Sequence, residues 1–202
     1  MTETPAERTP QPVPTLNIAN VLTTLRIVMV PFFVWALVAD DQQHGILRWI
    51  SVALFAMAMY TDKLDGDLAR SRGLVTNFGK IADPIADKLL LGAALLTLSS
   101  LGELWWWVTI VILVRELGIT VLRFAVIRRG VIAASKGGKL KTVTQTAGLF
   151  LLLLPFTPDT GWLSVVALAV ILLAAAITIY TGIDYIIQAA RMKPAPGPRE
   201  TR

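Results

Sequence analysis

The chain contains no cysteine. That excludes a disulfide framework, a zinc–thiolate centre and a thiol nucleophile. It contains one histidine, His44, set in a short polar stretch. A histidine-based acid–base centre is therefore not expected, and no Ser/His or Cys/His pair is available for a covalent intermediate. Basic residues are scarce at the start, where Arg8 is alone in the first 25 positions. No small-residue cleavage site follows the first apolar stretch, so that stretch reads as a retained helix and not as a signal peptide. No convincing internal repeat is present. Three of the links between apolar stretches, 40–45, 101–103 and 158–160, hold no lysine or arginine and only Asp40, Asp41, Glu103 and Asp159 as charges.

What is abundant is apolar sequence. Of 202 residues, 54% are hydrophobic, with a mean hydropathy of +0.63, against about 45–50% apolar residues in soluble domains. Six apolar segments, at 21–39, 46–70, 79–100, 104–126, 140–157 and 161–187, each approach the length needed to cross a bilayer. An all-α integral membrane protein with six transmembrane helices is expected, as one domain over 15–190. The proline-rich arm 1–14 and the tail 191–202 are expected to be disordered. Leu16 to Arg26 reads as a short interfacial helix leading into the first span. The net charge of +5 raises the possibility of nucleic acid, but its distribution argues against that partner. The arm, the links 71–78 and 127–139 and the tail carry the basic residues, among them Arg72, Arg128, Arg129, Lys136 and Lys139. The positive-inside rule then places both termini and those links in the cytoplasm of a multi-pass plasma-membrane protein. Trp105, Trp106 and Trp107 suit an aromatic belt at the outer interface.

The second span is short of apolar residues. About thirteen, Trp49 to Thr61, precede Asp62, whereas a membrane helix needs about twenty. At about 1.5 Å per residue, Asp62 would lie roughly 20 Å from the outer end, in the cytoplasmic leaflet or at its headgroups. Asp62, Asp65, Asp83 and Asp87 fall at i,i+3 and i,i+4 spacings, so each helix presents two carboxylates on one face. Carboxylates there are costly and mark function. Converging, they repel one another unless cations intervene, and oxygen ligands select Mg²⁺ or Mn²⁺. Lys63, Arg70, Lys80 and Lys88 could instead neutralise them in a structural network. Asp67 reads as solvated. Pro84 is expected to be tolerated in the first turn of the third span, and Gly66 and Gly79 to permit close approach.

Written out, the segment is Asp62-x2-Asp65-Gly66-x2-Ala69-Arg70-x8-Gly79-x3-Asp83-x3-Asp87, eight specified residues over 26 positions. It resembles the full signature of the CDP-alcohol phosphatidyltransferases. The resemblance covers roughly Asn20 to Gln145. It implies a two-metal site held by all four aspartates, with Asp87 also the general base that activates the acceptor hydroxyl. It implies that Gly66, Ala69, Arg70 and Gly79 hold the CDP moiety of CDP-diacylglycerol, in a polar cavity open to the cytoplasm, and it suggests a homodimer among membrane lipids. Asn20-x2-Thr23-x2-Arg26 reads either as the polar start of a helix or, by the same resemblance, as a border of the nucleotide pocket.

Arg115-Glu116, with Arg123 eight residues beyond Arg115, lies deep in the fourth apolar segment, where ionisable residues mark either an internal pair or a functional site. Lys136-Gly137-Gly138-Lys139-Leu140-Lys141-Thr142, followed by Gln145, reads either as ordinary positive-inside charge or, by resemblance, as the block of family members that make phosphatidylglycerophosphate. Arg115, Arg123, Lys136, Lys139 and Lys141 would then bind the acceptor phosphate. The expected reaction is phosphatidyl transfer from CDP-diacylglycerol to sn-glycerol 3-phosphate, releasing CMP. Inositol phosphate, phosphatidylglycerol and serine are the rival acceptors. A cation transporter is the rival from another class, disfavoured because the outer halves of the spans are almost wholly apolar apart from Arg48. Asp184 and Tyr185 carry no assignment.

Overall fold

The computed structural model describes residues 17–71, 76–126 and 136–191. The side chains of 69, 70, 77, 80, 123–126, 136, 137 and 191 lie outside that description, as do the arm 1–14 and nearly all of the tail. Six helices make up the described residues: α1 Ile18–Ala39, α2 Ile46–Ser71, α3 Asn77–Ser100, α4 Trp106–Val126, α5 Lys136–Leu153 and α6 Gly161–Arg191. Each overlaps one of the apolar segments. α1 and the 161–190 stretch of α6 are long and apolar enough to cross a membrane. The other four carry more charge along their apolar sequence.

α1 packs along α2 and α3, and α6 packs along α5 and α4. Contacts of α2 with α5 and of α3 with α4 join the two halves. Phe33, Phe55, Leu90, Leu95, Leu98, Ile112, Leu149, Leu153 and Ile171 fill one contiguous core, with the Phe33 and Phe55 rings 5.9 Å apart. The outward faces are also apolar: Trp35 is 61% exposed, Val121 68%, Trp162 71%. Large exposed apolar area of this kind marks a surface made for lipid or for a partner. α5 and α6 approach closely at Gly148, where a Cβ would sit 3.0 Å from the backbone of Ile171.

Three expectations need correction. Residues 18–26 form no separate interfacial helix, because α1 is continuous from Ile18 and Asn17 caps it by accepting from the Asn20 N–H. No breaker lies between the two stretches. α5 spans 136–153 instead of 140–157: Pro155 disfavours helical backbone at the residue before it, and the Gly137-Gly138 pair starts the helix instead of ending a link. Pro84 is not in a first turn, since Thr76 caps α3 and Pro84 stands inside the helix. It cannot donate to the carbonyl of residue 80.

The end opposite the aspartates is tied by charge. Arg48 is fully buried, pairs with Glu103, and donates to the carbonyls of Leu152 and Leu153. Those carbonyls lie at the C-terminus of α5, where intrahelical donors run out. The α1–α2 link puts Asp41, Gln42 and His44 at positive φ. The Asp40 carboxylate accepts from the N–H groups of His44, Gly45 and Arg48, which offsets that strain. At the start of α4, Trp105, Trp106 and Trp107 stand half-exposed, with Trp105 and Trp107 stacked 6.3 Å apart.

Candidate active site

Three side chains of α1, spaced three residues apart, organise the site. Asn20, Thr23 and Arg26 are all buried. The Asn20 amide and the Thr76 hydroxyl bond each other at 2.8 and 3.0 Å, and Thr76 also accepts from the Gly79 N–H. A Cβ at Gly79 would lie 2.9 Å from Asn20 Oδ1, so glycine is what lets α1 meet the start of α3. One turn on, the Thr23 hydroxyl is 2.6 Å from Asp83 Oδ1 and 3.3 Å from Asp65 Oδ2. It has one hydrogen for those two acceptors and for the Ala19 carbonyl at 3.1 Å. Next, Arg26 donates from Nη1 to Asp62 and from Nη2 to Asp65, each at 2.5 Å.

These contacts draw Asp62, Asp65 and Asp83 together. Asp87, one turn beyond Asp83, lines a cavity of about 740 Å³ with Asp62 and Asp83. Asp65 is 3% exposed and does not line it. Among the described residues no three acidic or histidine side chains stand close enough to hold one metal ion. The cation between Asp62 and Asp65 is instead the guanidinium of Arg26. Carboxylate oxygens are the donors that hard divalent cations take, and the place where Asp62 and Asp65 demand positive charge is marked by that fork. The sequence offers Lys63, Arg70, Lys80 and Lys88 as neutralising groups. Of these, Lys63 is exposed, Lys88 donates to the Thr120 hydroxyl at 2.5 Å, and the other two lie outside the described side chains. Arg26 was the missed partner, with its spacing from Asn20 and Thr23 as the available signal.

Residues of α4, α5 and α6 complete the cavity lining. Arg115, Lys139 and Lys141 are among them, together with Glu116, Asp184 and Tyr185. Lys141 is buried and pairs with Glu116. Arg115 Nη1 lies 3.4 Å from the same Glu116 oxygen, and its Nη2 donates to Thr181 Oγ1 at 3.1 Å. Lys139 is exposed. Gln188 donates to Asp184 at 2.7 Å. Arg123 and Lys136, expected beside Arg115, Lys139 and Lys141, have side chains outside the description, as do Ala69 and Arg70. Gly66 is half-buried on α2.

The fold thus offers a helical bundle with apolar outer faces and a cavity whose lining mixes the carboxylates of Asp62, Asp83, Asp87, Glu116 and Asp184 with the cations of Lys88, Arg115, Lys139 and Lys141, a form suited to transfer between anionic phosphates. The chain belongs to the CDP-alcohol phosphatidyltransferase family, which residues 16–180 match. It is an enzyme of that class, and the family is membrane-bound and in general dependent on divalent metal. Among its relatives is a protein of Mycobacterium tuberculosis named "Probable phosphatidylglycerophosphate synthase", 53% identical over 175 residues, covering 87% of this chain and 82% of the relative. A Bacillus subtilis protein named "CDP-diacylglycerol--glycerol-3-phosphate 3-phosphatidyltransferase" is 38% identical over 152 residues, covering 70% of this chain and 79% of the relative. One of the same name from Salmonella typhimurium is 33% identical over 181 residues, covering 87% of this chain and 95% of the relative.

Proposed function

We propose that this enzyme transfers the phosphatidyl group of CDP-diacylglycerol to sn-glycerol 3-phosphate, giving phosphatidylglycerophosphate and CMP. The observation that carries the reading is the single cavity lined both by Asp62, Asp83 and Asp87 and by Arg115, Lys139 and Lys141. The names of the relatives support the acceptor.

Asp62, Asp65, Asp83 and Asp87 would hold Mg²⁺ or Mn²⁺, with Arg26 moving off its two carboxylates. Held there, a divalent-metal pair would supply positive charge for the phosphates and for departing CMP. Asp87 takes the proton of the glycerol 1-hydroxyl. That oxygen forms a bond to the lipid-linked phosphorus, and the bond from this phosphorus to the oxygen of CMP breaks. Asn20, Thr23, Gly66, Ala69, Arg70 and Gly79 border the CDP moiety. Arg115, Arg123, Lys136, Lys139 and Lys141 supply charge for the acceptor phosphate, with Lys141 shared with Glu116. The same proposal includes six spans, the cavity opening to the cytoplasm, both termini on that side of the plasma membrane, and a homodimer. The lipid donor gives the placement its reason: the acyl chains stay in the bilayer while the head enters the cavity.

The deciding experiment uses full-length purified protein in lipid nanodiscs with CDP-diacylglycerol, Mg²⁺ and a panel of acceptors. CMP release and a phosphatidylglycerophosphate product are expected with sn-glycerol 3-phosphate. Preferred use of inositol phosphate, which is also anionic, would move the enzyme to the sister activity. Turnover with phosphatidylglycerol alone would remove the phosphate-recognition argument.

A further inference from the structure

Below the reacting carboxylate lies an amide with nothing to bind. Gln145 on α5 is 1% exposed, and neither its Oε1 nor its Nε2 has a hydrogen-bond partner. A buried amide is ordinarily paired, because leaving it unpaired is costly. Gln145 lines a second, more enclosed cavity of about 130 Å³. Asp87, Lys88, Glu116, Lys141 and Thr142 line both cavities, so the small one lies directly beside the large one, with Asp87 among the residues between them. Its remaining walls are mainly leucines of α3 and α4. The chamber has room for a short polyol and none for a nucleotide.

We propose that Gln145 reads a non-reacting hydroxyl of the acceptor and so sets the enzyme's preference for a polyol phosphate. The inference rests on the proposed acceptor reaction. With the reacting hydroxyl at Asp87 and the phosphate among the cations of the main cavity, the rest of a three-carbon acceptor has the small chamber beside it. A primary amide both donates and accepts, which matches a hydroxyl that does the same. Of the polar side chains that line this chamber, Gln145 is the one with both polar atoms unpaired. A site built to bond a hydroxyl rejects an analogue lacking it, because its own polar group is then left unpaired.

The test compares sn-glycerol 3-phosphate with 3-hydroxypropyl phosphate, which keeps the reacting hydroxyl and the phosphate but lacks the middle hydroxyl. Wild type and Gln145→Leu are assayed as full-length protein in nanodiscs, with Mg²⁺ and saturating CDP-diacylglycerol. Wild type should favour glycerol 3-phosphate by about ten-fold in kcat/KM, equivalent to about 1.4 kcal/mol. Gln145→Leu should abolish that preference by losing activity on glycerol 3-phosphate alone, with the KM for CDP-diacylglycerol and the unfolding midpoint maintained. A variant that slows both acceptors equally and keeps the preference would show that the amide holds only packing or water, and would overturn the proposal. So would a wild type that treats the two acceptors alike. Gln145→Met, of similar length without polar atoms, repeats the test if the leucine variant does not insert. Failure of the acceptor reading looks different: wild type would then use neither compound while still turning over another alcohol.

Discussion

Arg26 makes the charge balance of the site concrete. Its guanidinium is 1% exposed and holds Asp62 and Asp65 at once. Breaking a buried ion pair by removing one partner costs about 3–5 kcal/mol, and the cost here is at the low end because Asp62 keeps solvent contact. Arg26→Gln should therefore lower the unfolding midpoint of the metal-free protein, and Mg²⁺ should restore more stability to it than to wild type. Scanning calorimetry with and without Mg²⁺ checks this, and an Mg²⁺ response equal to that of wild type would contradict it. Asp62→Asn, Asp65→Asn and Asp83→Asn should each remove most turnover, and chelation should do the same to wild type. Near-normal rates in those variants would refute metal ligation. Asp87→Asn should reduce kcat far more than affinity for CDP-diacylglycerol; the reverse pattern would make Asp87 a binding group and require another base.

At the scale of the helix, α5 decides how two of the cavity's cations are presented. Lys139 and Lys141 sit near its start, and Lys141 bridges to α4 through Glu116. The two lysines should therefore respond differently. Lys139→Ala should raise the KM for glycerol 3-phosphate about ten- to a hundred-fold, since a bond to a charged group is worth about 1.5–3 kcal/mol and about 1.4 kcal/mol makes a decade. Lys141→Ala should also destabilise the protein, because Glu116 loses its closer partner and keeps only the 3.4 Å contact with Arg115. Adding Glu116→Gln to it should cost less than the sum of the two single changes, as expected of residues in contact. Additive costs would separate Lys141 from Glu116. Where α5 meets α6, Gly148→Ala would press a Cβ to 3.0 Å from the Ile171 backbone. Overpacking of this kind costs about 1–3 kcal/mol, read as a lower unfolding midpoint with the divalent-metal requirement unchanged.

For the molecule as a whole, the absence of cysteine makes topology directly measurable. A cysteine introduced at Gln42 should be labelled from outside the cell and one at Ser71 protected; the opposite pattern would invert the proposed orientation. The sequence by itself determined the helical class and the span of every helix to within a few residues, because a six-fold alternation of apolar runs and polar links is written locally in the chain. It also determined which carboxylates share a face, since Asp62 with Asp65 and Asp83 with Asp87 lie within single helices, where spacing alone fixes direction. The early end of α5 at Leu153 is also local information, because Pro155 disfavours helix at the residue before it. What only the tertiary structure decided were the partners: Arg26 between Asp62 and Asp65, 36 and 39 residues away, Glu116 for Lys141, 25 away, and no protein partner for Gln145. A helix's own period says which way a side chain points, but what it meets depends on how separate helices pack, and close approaches such as those at Gly79 and Gly148 set that packing.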